Sequence, residues 1–119
     1  MKYLKTVLLI IILSSHLPAQ KTLNGPEAVV YDAVHNRYLV VNAFSGTVVQ
    51  VDEDGNQENF ITGLTTPIGA CIHNDLFYVT TNDPNNLCEY NLNGDLLRSI
   101  PLLESSSLAS VCADDQGFL

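Results

Sequence analysis

Short apolar runs recur along the chain from residue 26 onward, and most of them contain alternating polar positions. The runs are rich in Val, Ile, Tyr and Thr, and each is closed by a group of turn-forming residues. They are too short and too often interrupted for helices, whereas short β-strands joined by tight turns have this pattern. The hydrophobic pattern therefore predicts an all-β protein.

The runs form a repeat of about forty residues. Three similar starts mark it: PEAVVYD from Pro26, PIGACIH from Pro67 and SLASVCAD from Ser107. Three further runs follow each of the first two starts, namely RYLVVN, TVVQVD and QENFIT in the first repeat and LFYVTTN, LCEYNL and DLLRSI in the second. Four short strands per repeat predict one four-stranded blade of a β-propeller.

The repeat predicts about two and a half blades: blade 1 over 26–62, blade 2 over 67–100 and the start of blade 3 over 107–119. A propeller closes as a ring of about four to eight blades. We therefore interpret residues 20–119 as an incomplete propeller from a six-bladed parent, whose further blades would pack against these. With its apolar faces open, the chain is expected to associate or unfold.

The stretch VDEDGNQENF raises the alternative of a calcium loop. An EF-hand with its glycine at Gly55 needs oxygen ligands at fixed positions and a glutamate six residues later, where this chain has Ile61. Asp54 and Gly55 instead have the composition of a tight hairpin turn, and NLNGD stands at the same place in the second repeat. The pattern favours a turn without metal.

The first 19 residues have the pattern of a signal peptide. MKYLK is a basic start, TVLLIIILSS is an apolar stretch too short to span a bilayer, and a plausible cleavage site follows Ala19. The expected location is secreted, periplasmic or cell-envelope, with no stable membrane anchor after cleavage. An anchor that is never cleaved is the alternative.

The acidic composition argues against nucleic acid as a partner. The formal charge is −8, and it becomes −10 without the first 19 residues because Lys2 and Lys5 are lost. Such a chain repels phosphate backbones and has no basic stripe.

Three cysteines, Cys71, Cys88 and Cys112, cannot all pair within the chain. Their spacing matches no zinc pattern, and each lies in an apolar run, so we expect buried thiols. One disulfide is the alternative, since Cys71 and Cys112 occupy matching positions of adjacent innermost strands.

The stretch GPEAVVYDAVHNRYLVVN resembles the first blade of the SMP-30/gluconolactonase/LRE-like family, through Glu27, Val30 and Tyr31. The later starts are similar to following blades of that group, which shades into NHL-repeat propellers. In catalytic members the resemblance implies one divalent cation, calcium or zinc, and hydrolysis of a sugar lactone. By position Glu27 corresponds to the first metal ligand, whereas Ala109 stands where the lactonases place a substrate-binding Asn.

Four polar residues are expected at one rim of the propeller. Glu27 begins an innermost strand, and Asn42 and Asn82 are predicted to end second strands. Asp83 follows Asn82 directly. Because converging carboxylate and amide oxygens suit a hard cation, Glu27 is the candidate metal ligand and the other three are the candidate ligand-binding rim. Alternatively, the two asparagines cap turns by bonding to backbone.

These observations lead to three functional hypotheses. The first is an exported propeller that binds a small ligand or a protein partner at its channel mouth. The second is a metal-dependent lactone hydrolase that needs further ligands from later blades. The third is a structural scaffold of the cell envelope.

Overall fold

The computed structural model describes residues 23–114, 116 and 117, and the predicted signal peptide over residues 1–19 lies outside them. Eight strands are present in these residues. They are β1 (Pro26–Asp32), β2 (Arg37–Asn42), β3 (Thr47–Asp52), β4 (Gln57–Ile61), β5 (Pro67–His73), β6 (Leu76–Thr81), β7 (Asn86–Asn91) and β8 (Leu96–Pro101).

The strands form two separate antiparallel sheets that do not close into a ring. The order is β1-β2-β3-β4 in the first sheet and β5-β6-β7-β8 in the second, so each strand pairs with its neighbour along the chain. No helix occurs in the part of the chain that the structure describes. The prediction of an all-β protein built from repeated four-stranded units is therefore confirmed.

The hairpin turns between third and fourth strands follow the sequence prediction. The Asp52 carboxylate accepts hydrogen bonds from the backbone N–H groups of Asp54 (3.0 Å) and Asn56 (2.8 Å). Gly55 takes the positive φ of 81° that the turn requires. Hydrogen bonds from Asn56 lower the pKa of Asp52. Asn91 has the corresponding role in the second sheet, bonding two backbone N–H groups. Asp52 is thus a residue of the tight hairpin turn that the sequence predicts.

The two sheets pack face to face around one hydrophobic core, and β1 lies beside β5. The buried core residues are Leu39, Val41, Val48 and Ile61 from the first sheet, with Phe77, Val79, Cys88, Tyr90 and Leu92 from the second sheet and its turn. Ala28 and Val30 of β1 and Ala70 and Ile72 of β5 pack against this cluster. Alternate residues of these two strands therefore point away from the core.

A buried ionic cluster ties the first sheet to the second. The Asp32 side chain is fully buried, with its carboxylate 2.8 Å from both Arg37 Nε and His35 Nδ1. The Arg37 guanidinium lies 4.5 Å from the centre of the Phe60 ring and donates to the carbonyl oxygen of Leu92 in the β7–β8 turn of the second sheet. Burial alone would raise the pKa of Asp32, but the hydrogen bonds from His35 and Arg37 outweigh it and lower the pKa.

The segment predicted to begin a third blade does not form a strand. Residues 107–114 have no sheet pairing, although they lie beside β5 and β6 on the side away from the first sheet. The physical reason is pairing: an innermost strand bonds to the second strand of its own sheet, and no such strand is described. The prediction of a strand in SLASVCAD is therefore wrong as secondary structure, while the expected position next to β5 is observed.

The outer face of the first sheet is apolar and open. Val29 is 62 % exposed, and Tyr31 and Tyr38 are each about half exposed. In the register of the strands, these three residues are equivalent to Ala70, Ile72 and Phe77 of the second sheet. Ala70, Ile72 and Phe77 pack against the first sheet, in the core between the two sheets.

We expect the chain to self-associate through this face, because it matches a face that the fold already buries. Val29→Glu should weaken self-association at least about tenfold by placing a charge on the face. Val34→Glu is the control, since Val34 is equally exposed at 62 % but lies in the turn after β1. Sedimentation equilibrium of both variants measures the effect, and equal weakening by both would contradict the expectation.

Candidate functional site

The four predicted site residues all lie at one end of the two sheets, which we call the near rim. It contains the starts of β1 and β5, the β2–β3 and β6–β7 turns, and the ends of β4 and β8. Equivalent backbone hydrogen bonds link its loops: Ala43 N–H to the Gly25 carbonyl (2.8 Å), and Asn82 N–H to the Thr66 carbonyl (3.2 Å). The near rim is therefore built the same way in both sheets.

Glu27 lies in a β-bulge at the start of β1. Pro26 pairs with Asn42 and Ala28 with Val41, so Glu27 is an extra residue without a cross-strand partner. A bulge turns the side chain away from its regular direction in the sheet. Glu27 is exposed, and its carboxylate has no hydrogen bond or ion pair to any residue that the structure describes. Glu27 is therefore free to contact a ligand.

The same irregularity occurs at the start of β5. The register shifts between Pro67, which pairs with Thr81, and Ala70, which pairs with Val79. The shifted part holds Ile68 and Gly69. The bulge is thus part of the repeated unit, and only the first sheet places a carboxylate in it.

Asn42 is a structural residue of the near rim. Its side chain is fully buried, and Oδ1 accepts a hydrogen bond from the backbone N–H of Asn24 (3.1 Å). Its Nδ2 donates to the carbonyl oxygen of Val40 at 3.0 Å. Because both amide atoms already bind backbone, Asn42 holds the segment before β1 and has no atom turned toward a ligand.

Asn82 holds a different segment. Its Oδ1 accepts from the Leu108 N–H at 2.7 Å, and its Nδ2 donates to the Leu108 carbonyl oxygen at 3.2 Å. Asn82 follows β6, which ends at Thr81, and Thr81 pairs with Asn86 as Asn42 pairs with Thr47. The prediction that Asn82 ends a strand is therefore wrong by one residue. The structure gives both asparagines the side-chain-to-backbone bonding of the alternative hypothesis.

Asp83 and Phe44 occupy equivalent positions in the two turns at the near rim. Asp83 is exposed, has a φ of 56°, and makes no side-chain hydrogen bond to another described residue. Phe44 is 81 % exposed, and its ring covers Gly25, where a Cβ would lie 2.8 Å from the ring. Phe44 was not among the residues predicted for the rim, although the turn sequence AFSG carries an aromatic residue near its centre.

The described residues alone do not form a metal centre. Among them, no group of three or more His, Cys, Asp or Glu side chains could hold a metal ion. Glu27 could supply one carboxylate to a divalent cation, which would need its other oxygen ligands from elsewhere. In the same part of the chain, no helix is long and apolar enough to cross a membrane.

Comparison with protein-family models gives no match to the chain, and a search of curated proteins gives none either. The resemblance to the SMP-30/gluconolactonase group therefore stays a prediction from the sequence.

Proposed function

We propose that this chain supplies blades of an exported β-propeller of the SMP-30/gluconolactonase type, which binds a small polar ligand at the channel mouth formed by the near rim. Two four-stranded antiparallel units packed face to face, with β1 beside β5, support the propeller. In such a fold these first strands line the channel, and further blades close the ring.

The observation that carries the ligand-binding proposal is the unpartnered Glu27 carboxylate. The side-chain amides of Asn42 and Asn82 form hydrogen bonds with backbone groups. Glu27 instead lies in a bulge, and its carboxylate has no hydrogen bond to a described residue. Phe44 adds an exposed ring to the same rim. A carboxylate accepts strong hydrogen bonds from hydroxyl groups, and an aromatic face packs against the apolar face of a sugar ring. A polyhydroxylated ligand fits this combination.

The position of Glu27 also favours a second candidate, a divalent-metal-dependent lactone hydrolase. Glu27 would then be one metal ligand, with the others supplied by further blades. A bound cation would polarise the lactone carbonyl. Metal-dependent lactone turnover by the complete propeller distinguishes this candidate from a binding protein. A propeller that binds no small molecule at all would instead be a scaffold.

Calorimetric titration of the complete propeller, first with calcium and then with gluconate in the presence of calcium, tests the proposal. We expect Glu27→Gln to weaken binding at least about tenfold, because the variant keeps the shape but loses the charge. Glu53→Gln is the matched control, since Glu53 is exposed in the β3–β4 turn at the opposite end of the first sheet. No binding of either probe, or equal affinity in both variants, would refute the proposal.

A further inference from the structure

Two of the three cysteines, Cys71 and Cys112, lie near each other on the outer side of the second sheet. Ala70 and Ile72 of β5 pack into the core, so Cys71 between them points to the opposite side, toward residues 107–114. Cys71 is partly buried and Cys112 is exposed, and both thiols are free. Cys88 lies inside the core between the sheets and is separated from this side.

The contact of Gly69 with residues 107–114 shows where this segment lies beside β5. A Cβ on Gly69 would lie 2.2 Å from the carbonyl oxygen of Ala109 and 2.8 Å from Cα of Ser110, so the two main chains touch there. Two residues further along each chain, the same side of β5 presents Cys71 and the segment presents Cys112. Cys71 and Cys112 are therefore equally far along the chain from the contact between Gly69 and Ser110.

A second contact further along shows that the segment continues beside β5 in the same direction. At the end of the strand, a Cβ on Gly117 would lie 2.9 Å from Nε2 of His73. Between these two contacts, burial raises the pKa of the Cys71 thiol and the nearby Cys112 raises it further, while a hydrogen bond from the Ala113 backbone lowers it. The Cys71 thiol thus lies beside the backbone of Ala113, the residue that follows Cys112.

The segment is held in place before any covalent bond forms. Asn82 makes two hydrogen bonds to the backbone of Leu108, and Thr80 Oγ1 donates to the carbonyl oxygen of Ala109 at 2.8 Å. These contacts restrict the motion of Cys112 relative to Cys71, which raises the effective concentration of one thiol near the other.

We propose that Cys71 and Cys112 form a disulfide that fastens residues 107–114 to the second sheet. The oxidant is a small-molecule disulfide such as oxidised glutathione. The exposed Cys112 thiolate attacks it, forming a mixed disulfide and releasing one glutathione thiolate; the Cys71 thiolate then attacks the Cys112 sulfur and releases the second. Two protons and two electrons leave the protein, and the oxidant is reduced to two thiols.

Incubation of the full chain in glutathione redox buffers, followed by alkylation and mass spectrometry, tests the bridge. We expect the oxidised product to be about 2 Da lighter than the reduced chain, with a single alkylated cysteine after unfolding, Cys88, and one peptide cross-link between Cys71 and Cys112. The bridge should slow exchange of the Leu108 amide at least about tenfold, because it removes an open state of the segment.

Two variants make the result specific. Cys88→Ser should still form the bridge, whereas Cys112→Ser should not form any intramolecular disulfide, and its exposed position leaves folding undisturbed. A bridge that includes Cys88, or a chain that accumulates glutathione on Cys112 without ever forming the Cys71–Cys112 bond, would overturn the proposal. Because ligand binding plays no part in this assay, its outcome is independent of the function proposed for the near rim.

Discussion

Replacing Asp32 with asparagine is expected to lower the free energy of unfolding by about 3 kcal/mol. The Asp32 carboxylate is fully buried and lies 2.8 Å from Arg37 Nε. Asparagine fills the same space but removes the negative charge, so the 13 % exposed Arg37 side chain would remain largely buried without its counter-ion. Arg37 also reaches the Leu92 carbonyl, and the loss should therefore weaken the contact between the two sheets.

Urea unfolding at neutral pH measures this effect, with Asp54→Asn as the control. Asp54→Asn removes the same negative charge from an exposed turn. The Asp54 side chain has no hydrogen bond to another described residue. We expect the control to change stability by less than about 0.5 kcal/mol. Equal destabilisation by the two substitutions would show that the buried cluster does not stabilise the fold.

The pH dependence of stability provides a second measure of the same cluster. The pKa of Asp32 is lowered in the folded chain, whereas the unfolded chain has the ordinary value of about 3.9. The unfolded state therefore binds more protons, so the stabilisation is complete above about pH 4 and is lost as the pH falls toward the folded pKa. Asp32→Asn should flatten the stability profile in this acidic range, and an unchanged slope would contradict the assignment.

Replacing Gly69 with alanine is expected to displace residues 107–114 from the second sheet. The new methyl group would lie 2.2 Å from the Ala109 carbonyl oxygen, which belongs to main chain and cannot rotate away. We expect a loss of about 2 kcal/mol in unfolding free energy. The amide of Leu108, which donates to Asn82 Oδ1, should then exchange at least about tenfold faster with solvent.

Hydrogen exchange followed by mass spectrometry or NMR measures this displacement. Thr80→Val should act in the same direction, because it removes the hydroxyl that donates to Ala109 and accepts from the Gly69 N–H. Ala28→Gly is the control, since Ala28 holds the matching position in the first sheet. Unchanged exchange at Leu108 in Gly69→Ala would show that the close approach does not hold the segment.

The strands and turns could be predicted because their signals are local. The Asp-Gly and Asn-Gly turns specify the hairpins by their own side-chain bonds and positive φ angles, and the alternating apolar runs between them specify strands. The repeated order then leads directly to two antiparallel four-stranded sheets. Glu27 lies at the near rim for the same reason, since its position follows from the start of β1.

Features that depend on contacts between distant residues could not be read in this way. Arg37 reaches Leu92, which is 55 residues away, and nothing in either local sequence indicates the contact. The strand before the β6–β7 turn was predicted to end at Asn82, one residue too late, because the similarity of Asn82 to Asn42 suggested equivalence. Cross-strand pairing ends β6 at Thr81 and places Asn82 in the turn. A strand was predicted in residues 107–114 from composition, but strand formation also requires a pairing partner.

The face-to-face packing of the two sheets can be tested most directly by NOE spectroscopy of the aromatic rings. The Phe60 ring of the first sheet meets the Phe77 ring of the second edge-on, with centroids 6.2 Å apart. Within the first sheet, the Tyr31 and Tyr38 rings are 5.1 Å apart and provide an internal reference. We predict ring-to-ring NOEs for both pairs. An NOE between the tyrosines without one between Phe60 and Phe77 would contradict face-to-face packing.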